Sequence, residues 1–225
     1  MIANFLKSRS KNTVGGAVLV LAMAALATPA QAEDTEGPYM RIDGGYSVAG
    51  NGEIATTAPI GANTKLDEGY LVSGAFGYAT SAGFRIEGEV SHRWNKLKPS
   101  TTLDRDGKVS ATSLMLNGYF EFGGSDSMVR PYFGAGAGVA FTRTRAKNST
   151  PVIPVSIDDK STSFAYQLMG GVAVDVSKDV TLDVGYRYFA APSIKGTTLA
   201  PPTAPTAFES DYKQHAVTVG LRFGF

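Results

Sequence analysis

The last eleven residues restrict the fold of this chain more than any other stretch. From His215 they read His-Ala-Val-Thr-Val-Gly-Leu-Arg-Phe-Gly-Phe and end on Phe225. His215, Val217, Val219, Leu221, Phe223 and Phe225 share one parity; Ala216, Thr218, Gly220, Arg222 and Gly224 share the other. A period of two belongs to a β-strand whose two faces meet different surroundings. One of those faces stays apolar up to the terminal carboxylate, which calls for an apolar medium at the very end of the sequence.

The opposite end points to a compartment. Lys7, Arg9 and Lys11 precede an apolar run from Val14 to Ala27, and Ala30-Gln31-Ala32 is an A-x-A cleavage site. These are the parts of a secretory signal peptide, so residues 1–32 are expected to be removed before Glu33, leaving 33–225 as one domain. The apolar run has 14 residues, including Gly15 and Gly16, against about 20 for a spanning helix. The absence of Cys rules out a lipid-anchored cysteine and any disulfide framework. A formal net charge of +1 leaves no basic footprint for nucleic acid.

Alternating segments then recur through the rest of the chain. They run Met40–Val48, Glu68–Tyr78, Phe84–Trp94, Ser110–Phe122, Pro131–Arg143, Phe164–Val176, Val180–Tyr188 and Lys213–Phe225. Each is long enough to cross a hydrocarbon layer as a tilted strand, for which about 9–11 residues suffice. Short turns at 79–83, 123–130 and 177–179 alternate with long loops at 49–67, 95–109, 144–163 and 189–212. Short turns on one side of a membrane and long loops on the other are the topology of an outer-membrane barrel. The expected fold is all-β: an eight-stranded antiparallel transmembrane β-barrel, an up-and-down meander preceded by a cleaved signal peptide. Both termini would lie in the periplasm.

The two faces sort by polarity. Met40, Ile42, Tyr70, Phe76, Ile86, Leu114, Leu116, Phe133, Phe164, Leu168, Val184 and Tyr186 fall on the lipid-facing parity. The other parity carries Arg41, Asp43, Arg85, Glu87, Glu89, Arg93, Glu121, Asp175, Asp183, Arg187 and Arg222. Glu68, His92, Arg143 and Lys213 break the rule, all near the upper strand ends, where a charge on the lipid face costs little. Aromatic residues gather at both ends of the strands, as two interfacial girdles would.

Three stretches carry a family likeness: Arg130-Pro-Tyr-Phe-Gly-Ala-Gly-Ala-Gly138, Leu182-Asp-Val-Gly-Tyr-Arg-Tyr188 and Val219-Gly-Leu-Arg-Phe-Gly-Phe225. The mature chain resembles the small outer-membrane β-barrel superfamily of opacity-type surface antigens, OmpX and the membrane domain of OmpA. The resemblance implies the fold and a Gram-negative outer membrane. It implies activity poorly, since the family holds adhesins, stabilising proteins and small pores. No counterpart of the peptidoglycan-binding domain of whole OmpA is expected after Phe225. The resemblance also implies that Val217, Val219, Leu221, Phe223 and Phe225 are read by the outer-membrane insertion machinery during assembly.

The inward charges Arg41, Asp43, Arg85, Glu87, Glu89, Glu121, Asp175, Asp183, Arg187 and Arg222 are the leading site candidates. An eight-stranded barrel is just wide enough for side chains to fill, and buried charges must pair. A salt-bridge plug is therefore favoured over a narrow ion path. Gly134, Gly136 and Gly138 are read as leaving room for long Arg side chains, because no helix follows them as a nucleotide loop requires. Only His92 and His215 could act as imidazole bases, and both have outward parity. No catalytic residue, cofactor or transition-metal site is expected; Asp104 with Asp106, or Asp158 with Asp159, are weak Ca²⁺ candidates that read better as solvated charge.

The expected role is a non-enzymatic, surface-exposed structural barrel with an adhesion or antigen-like function. A small pore for ions or very small solutes is the alternative, and a lipid A-modifying enzyme a weaker one. The expected partners are outer-membrane lipid and lipopolysaccharide, plus a host or surface ligand at loops 49–67, 95–109, 144–163 and 189–212.

Overall fold

A computed structural model describes residues 36–48, 53–54, 64–97, 106–123, 127–147, 156–198 and 206–225. The signal-peptide residues, with the cleavage site at Ala30, Ala32 and Glu33, lie outside the described residues. The strands are β1 (Gly37–Ser47), β2 (Glu53–Ile54), β3 (Thr64–Ala79), β4 (Phe84–Leu97), β5 (Asp106–Glu121), β6 (Val129–Lys147), β7 (Ser156–Asp175), β8 (Val180–Thr198) and β9 (Thr206–Gly224). The two-residue β2 is an appendage that pairs only with Thr64 and Lys65 of β3. The other eight form an antiparallel meander, and β1 pairs with both β3 and β9 to close the sheet. Closure leaves no sheet edge in the membrane, where unpaired backbone groups would have no water to satisfy them.

The alternation becomes geometry directly. On β4, Arg85, Glu87, Glu89, Ser91, Arg93 and Asn95 are all buried inside, while Phe84, Ile86, Val90 and Trp94 face out. The outer wall is almost wholly apolar: Tyr70 is 63% exposed, Ile42 62% and Leu116 62%. A water-soluble protein buries such residues; a barrel in lipid turns them outward. The lower girdle is a chain of rings, Phe84–Phe120 at 4.8 Å, Phe120–Phe122 at 4.9 Å and Phe122–Phe133 at 5.7 Å. Tyr46–Tyr70 and Tyr166–Tyr188 belong to the upper one, at 5.7 and 6.2 Å. The β3–β4 turn is tight: Thr80 N donates to Phe84 O at 2.8 Å, and Gly83 takes a φ of 81°, a value that favours glycine.

The strands outrun their expected limits at the outer end. Segments expected in the loops 49–67, 95–109, 144–163 and 189–212 belong instead to β3 from Thr64, β4 to Leu97, β5 from Asp106, β6 to Lys147, β7 from Ser156, β8 to Thr198 and β9 from Thr206. Backbone pairing continues beyond the hydrocarbon, but there water replaces lipid outside and the apolar alternation fades. Two register shifts, between Leu66 and Gly69 and between Ala191 and Ile194, lie in this outer zone, as bulges at barrel rims commonly do.

Candidate functional site

The lumen holds three tiers of side chains. The lowest is centred on Glu121. Its carboxylate is 2.9 Å from Arg85 Nε, 2.9 Å from Arg222 Nη1 and accepts a hydrogen bond from Arg130 Nε at 3.0 Å. Arg130 also pairs with Asp175, which accepts from the Thr181 hydroxyl at 2.8 Å. Arg222 reaches Asp183 at 3.6 Å. The Arg85 guanidinium lies among three rings, 4.6 Å from the Tyr119 centroid and 5.6 Å from those of Tyr39 and Tyr132.

The middle tier is denser. Arg41 contacts Glu87 at 2.7 Å, Glu89 at 3.3 Å and Asp43 at 3.3 Å. Arg187 crosses to Glu89 at 2.8 Å and to Asp43 at 3.8 Å. Neutral donors complete the carboxylates. Tyr39 and Tyr119 hydroxyls donate to Glu87 at 3.0 and 2.8 Å, Asn117 donates to Glu87 and Glu89, and Ser73 donates to Asp43 at 2.8 Å. Removing charges from water costs several kcal/mol per ion, of the order of 5, which only paired and hydrogen-bonded geometry offsets.

The upper tier is different. Arg93 donates to Ser91 at 2.7 Å, Ser113 at 2.9 Å and Gln167 at 3.3 Å, and its guanidinium sits 3.7 Å over the Phe189 ring. Tyr212 and Gln214 both donate to Asn95, at 2.7 and 2.9 Å. Around them Val109, Ala111, Met115, Ala140, Ala165, Phe189, Ala191 and Tyr212 form one buried apolar cluster. The lumen is thus charged below and capped by a largely apolar layer above.

The ten inward candidates Arg41, Asp43, Arg85, Glu87, Glu89, Glu121, Asp175, Asp183, Arg187 and Arg222 all project into the lumen and all take part in these ion pairs or hydrogen bonds. Three readings need correction. Arg130, expected in the turn 123–130, is the second residue of β6 and a lumen hub; with it the buried set holds Arg41, Arg85, Arg93, Arg130, Arg187 and Arg222 against Asp43, Glu87, Glu89, Glu121, Asp175 and Asp183. Phe189 and Tyr212, expected in the loop 189–212, are buried in the cap. The space at Gly134 and Gly136 is filled by Tyr119 and Asn117 of neighbouring β5, not by arginines: a Cβ at Gly134 would lie 2.8 Å from a Tyr119 ring carbon, and one at Gly136 3.0 Å from Asn117 Cγ. The partners Asn117, Tyr119 and Gln167 follow from the parity of the expected strands, and Tyr39 from extending the first of them by one residue.

The remaining candidates sit elsewhere. His92 Nδ1 is 2.7 Å from the Thr112 hydroxyl on the outer wall and its ring packs 4.4 Å from Trp94. His215 contacts the Tyr186 hydroxyl, with Tyr188 at 4.9 Å. Both histidines are therefore girdle residues. Among the described residues no group of His, Asp and Glu could hold a metal ion; Asp104 lies outside them, as do the side chains of Asp106, Asp158 and Asp159. Val217, Leu221 and Phe225 are exposed on the outer wall, with Val219 and Phe223 half-buried beside them. A cavity of about 220 Å³ lies at the short-turn end of the barrel, lined by Tyr39, Lys178, Thr181, Arg222 and Phe225.

Comparison with known proteins agrees with this architecture. An uncharacterized protein of Brucella abortus is 27% identical over 158 residues, 60% of this chain and 54% of that protein, so the chain spans about half the length of such relatives. A candidate adhesin of Rickettsia typhi is 25% identical over 199 residues, 83% of this chain and 87% of that protein. The crystal structure of Neisserial surface protein A superposes with a TM-score of 0.51 at 20% identity, covering 84% of this chain and 97% of that one, which shows a shared barrel fold. The model of the outer membrane protein beta-barrel domain matches residues 18–225. A closed barrel with an apolar outer wall and a polar lumen, matched over nearly its whole length, makes this chain a member of the outer membrane protein beta-barrel domain family, resident in the Gram-negative outer membrane.

Proposed function

We propose that the protein is a plugged, non-enzymatic barrel that holds its outer loops at the cell surface for adhesive contact. The observation that carries this reading is the occupied lumen. Two ion-pair tiers fill its lower and middle parts, and the cluster around Phe189 and Tyr212 covers them. A path for ions would need those pairs to separate inside a barrel whose interior side chains already fill. The balanced charge also gives an ion path no sign preference. The histidines support no catalytic role: His92 and His215 face outward, and no carboxylate among the described residues is hydrogen-bonded to either imidazole.

Adhesion is favoured by the Rickettsia relative and by where loops occur in this topology. The test has two arms. Protein reconstituted in a planar bilayer is expected to show no steady conductance; large ohmic openings in wild type would replace this reading with that of a small pore. Cells of a non-adherent Gram-negative strain expressing the barrel are expected to attach to host cells, and to lose attachment when residues 98–105 and 199–205 are replaced by Gly-Ser linkers. Equal attachment of cells with and without the barrel would remove adhesion while leaving the structural reading intact.

A further inference from the structure

Among the described residues, the outer wall is not electrically uniform above its girdle. On four consecutive strands, five basic residues share the outward parity: Lys96 on β4, Lys108 on β5, Arg143 and Arg145 on β6, and Lys160 on β7. Four of them are exposed and Arg143 is half-buried. The register makes them neighbours. Lys96 pairs with Lys108 and Lys108 with Arg145, while two residues below, Trp94 pairs with Ser110, Ser110 with Arg143 and Arg143 with Lys160. Four strands span three interstrand gaps, about 14 Å. The cations therefore form one compact patch. Asp158, the register partner of Arg145, is the acid nearest in the pairing scheme.

What lies below the patch matters as much. Trp94 and Ser110 share the lower row of the patch with Arg143 and Lys160; next down come His92, Thr112, Phe141 and Thr162, then Val90, Leu114, Val139 and Phe164. From top to bottom the order is cation, hydroxyl with aromatic ring, and aliphatic side chain. That is the vertical profile of an anionic lipid standing in the outer leaflet: phosphate, ester and amide linkages, acyl chain. On the opposite wall, the described outward ionisable residues at this level are Glu68, Asp211 and Lys213, and the last two pair at 3.5 Å. A general attraction to an anionic surface would not need one-sided placement. A specific headgroup would.

We infer that the β4–β7 face is a binding site for the phosphorylated headgroup of lipopolysaccharide. Lys96, Lys108, Arg143, Arg145 and Lys160 would engage its phosphates, with the acyl chains lying along Val90, Leu114, Val139 and Phe164. The site is on the outer surface and is independent of whether the lumen conducts.

The chain carries its own reporter, because Trp94 is its single tryptophan and sits in the lower row of the patch. Protein purified from outer membranes into a neutral detergent would be titrated with bisphosphorylated lipid A while Trp94 emission is followed. A saturable change is expected. With three of the five cations removed, the triple variant Lys96→Gln, Lys108→Gln, Lys160→Gln should bind at least tenfold more weakly. Lys213→Gln, on the other wall, should bind like wild type, and circular dichroism would establish that all variants keep the barrel. Lipid A stripped of both phosphates should bind wild type as weakly as bisphosphorylated lipid A binds the triple variant. Equal affinity of wild type and a folded triple variant would overturn the site. So would equal affinity for lipid A and phosphatidylglycerol, which would reduce the patch to a general anion surface.

Discussion

The Arg93 guanidinium lies 3.7 Å over the centroid of the Phe189 ring, joining two strands that are far apart in sequence. This stack roofs the charged lumen. A buried cation over an aromatic face is worth about 2 kcal/mol when desolvated, and Phe189 also fills the cap. Phe189→Ala should destabilise the barrel by about 3 kcal/mol, and Phe189→Leu, which keeps most of the volume, by about 1 kcal/mol. Urea unfolding in lipid vesicles reads both. An alanine variant with the wild-type midpoint would mean that the cap contributes nothing to stability.

Glu121 serves three arginines, whereas Arg222 has two acidic partners. Removing the shared partner should therefore cost more than removing one of those who share it. Glu121→Ala takes from Arg85 its carboxylate contact and from Arg130 and Arg222 one of two, and is expected to cost about 3–5 kcal/mol. Arg222→Ala leaves Glu121 with Arg85 and Arg130 but takes the 3.6 Å ion pair from buried Asp183, and is expected to cost about 1–3 kcal/mol. The same unfolding measurement ranks them, and the reverse order would show that the lowest tier is not organised around Glu121.

Gly171 and Gly44 separate packing from mere composition. A Cβ at Gly171 would lie 2.6 Å from Gly185 Cα and 2.8 Å from the Tyr132 hydroxyl, while one at Gly44 would meet nothing within 4 Å. Gly171→Ala should destabilise by about 1–3 kcal/mol through overpacking; Gly44→Ala should fall within about 0.5 kcal/mol of wild type, as exposed substitutions usually do. Matching unfolding curves for the two would contradict the close approach of Tyr132 to β7.

Phe225 is 67% exposed and its nearest ring, Phe76, is 6.3 Å away. Its loss should barely alter refolding in detergent. Outer-membrane yield in cells should nevertheless fall several-fold, if residues 217–225 are the segment that the insertion machinery reads. Undiminished yield of the Phe225 deletion would remove that role. Intact mass spectrometry of the wild-type protein from the same membranes is expected to place the first residue at Glu33.

The outer wall was the most legible part of the sequence, because lipid imposes a strong contrast between neighbours: Ile86 out and Glu87 in, Leu221 out and Arg222 in. That contrast assigns a face but not a partner. Nothing in the sequence alone says that Arg41 reaches Glu87 or that Arg187 crosses to Glu89, because those pairs depend on closure and stagger. Arg130 is obscured for a local reason. Pro131 reads as the first residue of a strand, which puts Arg130 in a turn, yet pairing begins at Val129. Phe189 and Tyr212 are obscured by the medium. Where water replaces lipid outside, an apolar residue no longer marks the outward face, and here these two point inward.

The unequal strand lengths give the barrel an uneven height. A strand of 19 residues, such as β8, at about 3.3 Å per residue and a tilt of about 40°, rises roughly 48 Å. β1, with 11 residues, rises roughly 28 Å on the same reckoning. The apolar band of such barrels is about 25 Å tall. With the short turns level at the periplasmic side, β6 to β9 stand as a parapet roughly 20 Å above the hydrocarbon, while β1 stops near its surface. A large partner would be met first by the crest of that parapet, beyond the lipid headgroups. A small molecule approaching from the β1 side would face the inner surface of the taller wall.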